Sequence, residues 1–98
     1  MASWYGPGFA GRPTASGEKF NPDDMTCAHP KLRFGTRLTV TNLENGKRVV
    51  VRVNDRGPFA KNRILDVSKE AAKRLDFIDK GVAKIRLEVI PGPLATTP

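Results

Sequence analysis

The segment at residues 37–59, RLTVTNLENGKRVVVRVNDRGPF, is the part of the sequence that decides the fold. Apolar and polar residues alternate in its first half, and its second half is a run rich in valine. Asn45 and Gly46 stand between the two runs, and such a pair takes the positive φ angles that a tight hairpin turn requires. The segment therefore predicts a β-hairpin that ends in a bend at Gly57-Pro58.

The second strand of this hairpin ends on polar residues, Asn54, Asp55 and Arg56, where a plain turn would need only the glycine. A carboxylate at the end of an apolar strand has a fixed position and a partly desolvated setting, which is how a general acid acquires a raised pKa. The alternative is a turn aspartate that hydrogen-bonds its own backbone or pairs with Arg56. Taken alone, the stretch leaves both interpretations of Asp55 open.

The composition of the whole chain predicts one small, loop-rich domain, because the chain has 98 residues, 39% of them apolar, and 17 glycines and prolines. Residues 6–33 are expected to be a long segment of turns without regular elements, and such a segment is a candidate for half of a binding site. RILDVS at 63–68 predicts a short strand, and VAKIRLEVI at 82–90 predicts a strand with one wet face.

A single short helix is predicted in SKEAAKRLDF at 68–77, with Ser68 as its N-cap. Many short strands with one helix favour a small barrel, closed so that no sheet edge is left exposed.

The net charge of +7 is unevenly distributed, since fifteen of the seventeen basic residues follow residue 30. This excess favours polyanionic partners such as nucleic acid, anionic lipid or acidic wall polymers. No run of five like charges and no aromatic-interleaved basic stripe occurs, so we expect no nucleic-acid binding. No apolar run is long enough to span a membrane, and we expect no signal segment within this chain.

The sequence offers few groups for cofactor or metal chemistry. It has one cysteine, Cys27, which we interpret as an inert, half-buried thiol, and one histidine, His29. Dinucleotide-binding, P-loop and common zinc motifs are absent, so we expect no cofactor and no metal. His29 and Glu18 lie in the turn-rich segment, and each is either a site residue or a structural one.

Three runs carry a resemblance to a known family: ASWYGPGFAGRPTASGEKF at 2–20, MTCAHPKLRFGTRLTVTNLENGKRVVVRVNDRGPF at 25–59, and RILDVSKEAAKRLDF at 63–77. Together with the final strand, they resemble the rare lipoprotein A family over residues 2–90. The resemblance implies a mainly β protein, a six-stranded double-psi β-barrel with one or two short helices. It places this domain at 1–91 and a C-terminal tail at 92–98.

The resemblance also implies an activity. Some members of the family are peptidoglycan lytic transglycosylases, carbon-oxygen lyases that cut the bond between N-acetylmuramic acid and N-acetylglucosamine and leave a 1,6-anhydro end. The matching catalytic positions are Asp55 of NDRGP, Glu18 of TASGE and His29 of AHP. One carboxyl suffices in such a reaction because no water is activated, unlike in inverting hydrolases, which use two.

Six further residues are expected to bind substrate. Asn54 and Arg56 would hold the sugar, and Arg56 would also favour the charged form of Asp55. Trp4 and Tyr5 would stack on sugar faces, while packing on the barrel is the alternative for both. Thr14 and Ser16 belong to the same TASGE segment as Glu18 and complete the set.

The family places the full-length protein in the bacterial cell envelope, in the periplasm or attached to the outer membrane, where relatives can be lipid-anchored. The expected partner is the glycan of peptidoglycan, on peptide-poor strands, and the expected state is a monomer. A second function stays open, a non-catalytic, expansin-like module in which the same groove holds polysaccharide without cutting it.

Overall fold

The computed structural model describes residues 1–5 and 8–91. The regular elements over these residues are seven strands and one helix: β1 Ala2–Trp4, β2 Thr26–Ala28, β3 Arg37–Asn42, β4 Arg48–Asp55, β5 Leu65–Val67, α1 Lys69–Leu75, β6 Val82–Ala83 and β7 Ile85–Ile90. The expected mainly β architecture with a short helix is confirmed. The predicted tail at 92–98 lies outside the described residues, and the domain boundary at residue 91 stays a prediction.

All strands belong to one sheet, in the order β6-β1-β5-β2-β4-β3-β7. The pairs β1/β5 and β2/β4 are parallel, and the other pairs are antiparallel. The expected closed barrel of six strands is corrected in its count and its closure. The predicted final strand breaks at Lys84, so that β6 pairs with β1 while β7 pairs with β3. One short stretch of chain thus supplies both edges of the sheet, which must curl round to bring them together.

The predicted β3–β4 hairpin is confirmed, with Leu38 opposite Val51. Its turn differs from the prediction. Gly46 has a φ of 76°, but Asn45 is not among the described non-glycine residues with positive φ. The connection is wider, because the backbone of Asn42 closes the hairpin by donating to Lys47 O at 2.8 Å and accepting from Gly46 N at 2.8 Å. The buried Asn42 side chain also donates to a carbonyl of α1, which fixes the loop against the helix.

β2 lies within residues 6–33, which were expected to lack regular structure, and the unpredicted β1 precedes that segment. β1 and β2 have three residues each, too few to show a two-residue period. β2 nevertheless lies in the middle of the sheet, where Cys27 pairs with Val53 of β4 and Val67 of β5. Cys27 is fully buried and not half-buried as expected, and burial raises the pKa of its thiol to about 12.

The predicted helix is confirmed together with its cap, since Ser68 Oγ accepts a hydrogen bond from Ala71 N at 3.2 Å. Its apolar face, Ala71, Ala72 and Leu75, belongs to the core. The other core residues come from β1 to β6 and from the segment after α1, namely Ala2, Cys27, Leu38, Val40, Val51, Val53, Leu65, Val67, Phe77 and Ala83. None of the described helices has the length and apolar character needed to cross a membrane.

Candidate active site

Asp55 is the last residue of β4 and lies at the rim of the sheet, half-buried. The pairing between β2 and β4 shifts between Cys27 and Ala28, so that Ala28 lies opposite Asp55. Such irregularities bend a strand and change the direction of a side chain, and they are common next to active sites. His29 N then donates to Asp55 O at 3.1 Å, which extends the contact between the two strands past the shift.

Three donors orient the Asp55 carboxylate. Oδ1 accepts from the backbone N–H of Ala15 at 2.9 Å and of Arg56 at 2.8 Å, and Oδ2 accepts from the Tyr5 hydroxyl at 3.0 Å. Backbone N–H groups only donate, whereas a tyrosine hydroxyl both donates and accepts. A proton on this carboxyl is therefore accommodated on Oδ2, because the Tyr5 hydroxyl can accept a hydrogen bond from it instead of donating one.

Tyr5 is held for this contact by aromatic packing. Its ring lies 4.6 Å from that of Phe20 and 5.6 Å from that of Phe9, measured between centroids. Burial and the neighbouring Asp55 carboxylate raise the pKa of Tyr5 well above its ordinary value of 10.0, so the hydroxyl keeps its proton. Sequence reasoning assigned Tyr5 to sugar stacking and missed this hydrogen bond. Nothing in the spacing of residues 5 and 55 indicates it.

Glu18 is engaged in an ion pair. Its two carboxylate oxygens accept from the guanidinium of Arg52 at 2.6 and 2.9 Å. The hydrogen bond from Arg52 and a further one from the Asn54 side chain hold the pKa of Glu18 below its ordinary value. Arg52 was not singled out from the sequence, although an arginine on the outward face of a valine-rich strand was the available signal.

The loop containing Glu18 folds over the end of β4. Thr14 donates to Glu18 O through both its backbone N and its hydroxyl, at 2.7 and 2.8 Å. Ser16 N donates to Asn54 O at 3.2 Å, and the two hydroxyls of Thr14 and Ser16 are 3.0 Å apart. These bonds place Ala15 N at the Asp55 carboxylate. Thr14 is buried and Ser16 is half-buried, so the hydroxyls of these residues mainly stabilise the loop itself.

His29 organises the next loop. Its Nδ1 accepts from the backbone N–H groups of Lys31 and Leu32, both at 3.1 Å. Burial, and then the charges of Arg56 and Lys31, lower the pKa of His29 below 6.5. The imidazole is therefore neutral at pH 7, with Nδ1 used as an acceptor.

Arg56 also belongs to this loop. Its Nη1 donates to Leu32 O at 2.7 Å and to His29 O at 3.3 Å, and its guanidinium lies 4.1 Å from the ring centroid of Phe34. In the described contacts, Arg56 reaches the Asp55 carboxylate through its backbone N–H and not through its charge. The loop carbonyls occupy the guanidinium, and the roles expected of Arg56 toward the sugar and Asp55 stay predictions.

Asn54 is also placed differently from the expectation. It is only 2% exposed, so its side chain does not reach a sugar directly. Its amide supports Glu18, and its Oδ1 has no hydrogen-bond partner among the described residues. Trp4 is half-buried, packs against the core, and lines a cavity of about 310 Å³ that Tyr5 also lines. Across the described parts of the chain, no cluster of His, Cys, Asp or Glu is arranged to hold a metal ion.

Comparison with known proteins identifies the family to which this site belongs. Residues 1–87 match the family described as "Lytic transglycolase". The chain belongs to the lytic transglycolase family. Its relatives include the probable endolytic peptidoglycan transglycosylase RlpA of Nostoc sp., which is 59% identical over 92 residues, and the endolytic peptidoglycan transglycosylase RlpA of Campylobacter jejuni, which is 57% identical over 90 residues. The resemblance to the rare lipoprotein A family is therefore confirmed.

The two alignments cover 92% of this chain, but only 25% of the Nostoc protein and 33% of the Campylobacter protein. The chain thus spans a quarter to a third of the length of these relatives. Among solved structures, the Streptomyces papain inhibitor has the same fold, with a TM-score of 0.71 over 92% of this chain and 90% of the inhibitor, at 20% identity. The family match and this structure confirm the double-psi β-barrel fold, apart from the strand count and the closure of the sheet.

Proposed function

We propose that this chain is the catalytic barrel of a peptidoglycan lytic transglycosylase and that Asp55 is its acid and base. The arrangement of the Asp55 carboxylate carries the proposal, because two backbone N–H groups hold Oδ1 while Oδ2 meets a hydroxyl that can donate or accept. The names of the relatives support the choice of substrate, and one well-placed carboxyl meets the needs of this reaction.

In the proposed reaction, Asp55 gives the proton on Oδ2 to the glycosidic oxygen as the bond from that oxygen to C1 of N-acetylmuramic acid breaks. The C6 hydroxyl of the same sugar forms a new bond to C1, and its proton passes to Oδ2. The products are a 1,6-anhydro end and a free hydroxyl on the departing sugar. No water is consumed, and the acid is restored for another turnover.

Glu18 and His29 serve this carboxyl indirectly in our proposal. The Glu18 loop brings Ala15 N to Oδ1, and the His29 loop holds Arg56, whose backbone N–H is the second donor. Both side chains are occupied, Glu18 by Arg52 and His29 Nδ1 by two backbone N–H groups. We infer that the protein acts in the bacterial cell envelope as a monomer on peptide-poor strands, in the periplasm or at the outer membrane.

Product analysis of the Asp55→Asn variant tests the proposal. Purified glycan is incubated with the wild-type chain and with the variant, and the products are identified by mass spectrometry. We expect 1,6-anhydro-N-acetylmuramic acid ends from the wild type and a loss of at least about 100-fold in their rate of formation in Asp55→Asn. The amide keeps the shape of the carboxyl, so glycan binding should remain.

Asp79→Asn is the matched control, because Asp79 is an exposed carboxylate in the connection between α1 and β6 and should leave the rate unchanged. Reducing ends in place of anhydro ends would mean hydrolysis. Uncut glycan that still binds the wild-type chain would mean the non-catalytic, expansin-like module. Undiminished cleavage by Asp55→Asn would remove Asp55 from the mechanism.

A further inference from the structure

The cavity beside the candidate acid combines flat apolar walls with one positive charge. Its volume is about 310 Å³, and the rings of Trp4, Tyr5 and Phe20 line it together with Ala10 and Pro22. Tyr5 belongs to both places, since it lines the cavity and donates to Asp55 Oδ2. A group bound in the cavity is therefore one side chain away from the carboxyl that we assign to catalysis.

Lys69 is the only charged residue among the described residues that line this cavity. Its side chain is exposed, and no described residue forms an ion pair with it. Two nearby carboxylates are occupied by other partners, since Glu70 pairs with Arg74 and Asp66 accepts from Ser3. The ammonium of Lys69 is thus available to a ligand.

The backbone that carries Lys69 is fixed to the wall of the cavity. Ser68 N donates to Thr26 O at 2.9 Å, and Glu70 N donates to Pro22 O at 3.0 Å. These two bonds flank Lys69 and join the start of α1 to the segment that contributes Pro22. The point from which the Lys69 side chain extends therefore has a fixed position relative to the aromatic walls.

We propose that this cavity is a subsite for the acidic substituent of the sugar next to the cleaved bond, and that Lys69 selects it by pairing with its carboxylate. The inference rests on the proposed function, because N-acetylmuramic acid carries a lactyl ether whose carboxylate is free only where no peptide is attached. Sugar rings and the lactyl methyl present apolar faces to aromatic walls, and the carboxylate complements the one charge. Lys69 thereby gives a physical cause for the expected use of peptide-poor strands.

Fluorescence titration measures this selection without turnover. Trp4 is the only tryptophan of the chain and lines the cavity, so its emission reports binding there. The Asp55→Asn variant is titrated with soluble peptide-free glycan oligosaccharides and with the same oligosaccharides after conversion of their carboxylates to methylamides. We expect the free acids to bind about three- to fivefold more tightly, as for one partly exposed ion pair.

Three further variants in the Asp55→Asn background identify which residue causes the difference in affinity. Lys69→Met should abolish the preference for the free acids. Lys84→Met is the matched control, since Ala83 pairs with Ala2 in an antiparallel register that puts Lys84 at the opposite end of β1 from Trp4. It should keep the preference. Ala10→Leu adds bulk to the cavity without changing charge, and it should weaken binding of both ligand forms.

Equal binding of acids and methylamides, or a preference that survives Lys69→Met, overturns this inference. Neither result touches the proposed function if the wild-type chain still forms anhydro ends. Conversely, a clear preference that depends on Lys69, with no anhydro ends from the wild type, would contradict catalysis and leave the subsite in place.

Discussion

At the scale of single residues, the mechanism that we propose depends on which oxygen of Asp55 is free to exchange a proton. Oδ1 is bound by two donors that cannot reverse, and Oδ2 faces only Tyr5 among the described contacts. The hydroxyl of Tyr5 therefore matters as much as its ring. The remaining candidate side chains, Glu18 and His29, act on the loops that supply the donors.

Replacing Tyr5 by Phe tests the role of the hydroxyl. The ring would keep its packing on Phe9 and Phe20, so thermal unfolding should change little. A hydrogen bond to a charged group is worth about 1.5–3 kcal/mol, so kcat should fall about 10- to 100-fold with KM nearly unchanged. A rise in KM alone would instead assign Tyr5 to sugar binding.

The ionisation of Tyr5 gives a second test, because it is the only tyrosine of the chain. Its pKa is raised above 10.0, chiefly by burial and then by Asp55. The folded state thus holds the phenol proton more tightly than the unfolded chain does, and this contribution to stability is complete below pH 10.0 and lost as the pH rises above it. In Asp55→Asn, the phenolate absorbance should appear at lower pH than in the wild type. An unchanged titration would contradict the contact.

Two variants of His29 distinguish a structural role of this side chain from a chemical one. His29→Ala removes the acceptor for two backbone N–H groups and should cost about 1–2 kcal/mol of stability, while His29→Asn offers an oxygen that can accept in the same way. Because the pKa of His29 is lowered, its contribution is present above pH 6.5 and lost as the pH falls below it. We expect Asn to recover stability and activity together. A stable but inactive Asn variant would show that the other ring nitrogen takes part in the chemistry.

At the scale of elements, the site is assembled where loops are tied to the ends of short strands. The 14–18 loop is bonded to the end of β4, and the loop after β2 is bonded to Arg56. The helix α1 is tied to the same region through Pro22 and Thr26. Loss of order in any one of these elements would therefore move a donor of Asp55 or a wall of the cavity.

Ser68→Ala tests the contribution of the helix. The buried Ser68 hydroxyl caps α1 by accepting from Ala71 N, and loss of an N-cap costs about 1 kcal/mol. Chemical denaturation should show a lower midpoint with an unchanged slope. Ser68→Thr keeps an oxygen for the cap and is the control. Equal stability of Ser68→Ala and the wild type would mean that packing alone holds the helix.

At the scale of the whole molecule, the net charge of +7 gathers in part on the outer face of β4, β3 and β7. Arg37 lies opposite Arg52, and Thr41 lies between Arg48 and Arg86. The pairing register therefore places these arginines on one side of three neighbouring strands, together with Glu88. Because Arg52 is paired with Glu18, the excess positive charge of this side comes from Arg37, Arg48 and Arg86. We expect such a face to attract an anionic polymer, and this attraction would add to the contacts made at Asp55 and in the cavity.

Binding to insoluble wall material should consequently weaken as salt rises. Exposed charges more than about 10 Å apart are screened at 0.1 M salt, whereas short contacts in a groove are less sensitive. A sedimentation assay with purified sacculi should show a salt-labile fraction that falls in the Arg48→Gln/Arg86→Gln variant. Lys61→Gln/Lys73→Gln removes the same charge outside these strands and should have a smaller effect. Binding that does not change with salt concentration would contradict this prediction.

The sequence by itself determined the features that depend on neighbours along the chain. The β3–β4 hairpin, the capped helix α1 and the position of Asp55 before the Gly57-Pro58 bend all follow from short-range patterns of apolar residues, caps and turns. The double-psi barrel was predicted from the resemblance of the sequence motifs to those of the family. These features could be predicted because each one is encoded within a single continuous stretch of the chain.

Only the tertiary structure decided how the site is built. The partners of Asp55 come from residues 40 and 50 positions away, Ala15 and Tyr5, and Glu18 meets Arg52 across 34 positions. The three-residue β2 enters the middle of the sheet because burial between β4 and β5 stabilises it, not because its own sequence favours a strand. Contacts between distant segments depend on the register of the whole sheet, and no local pattern of residues encodes that register.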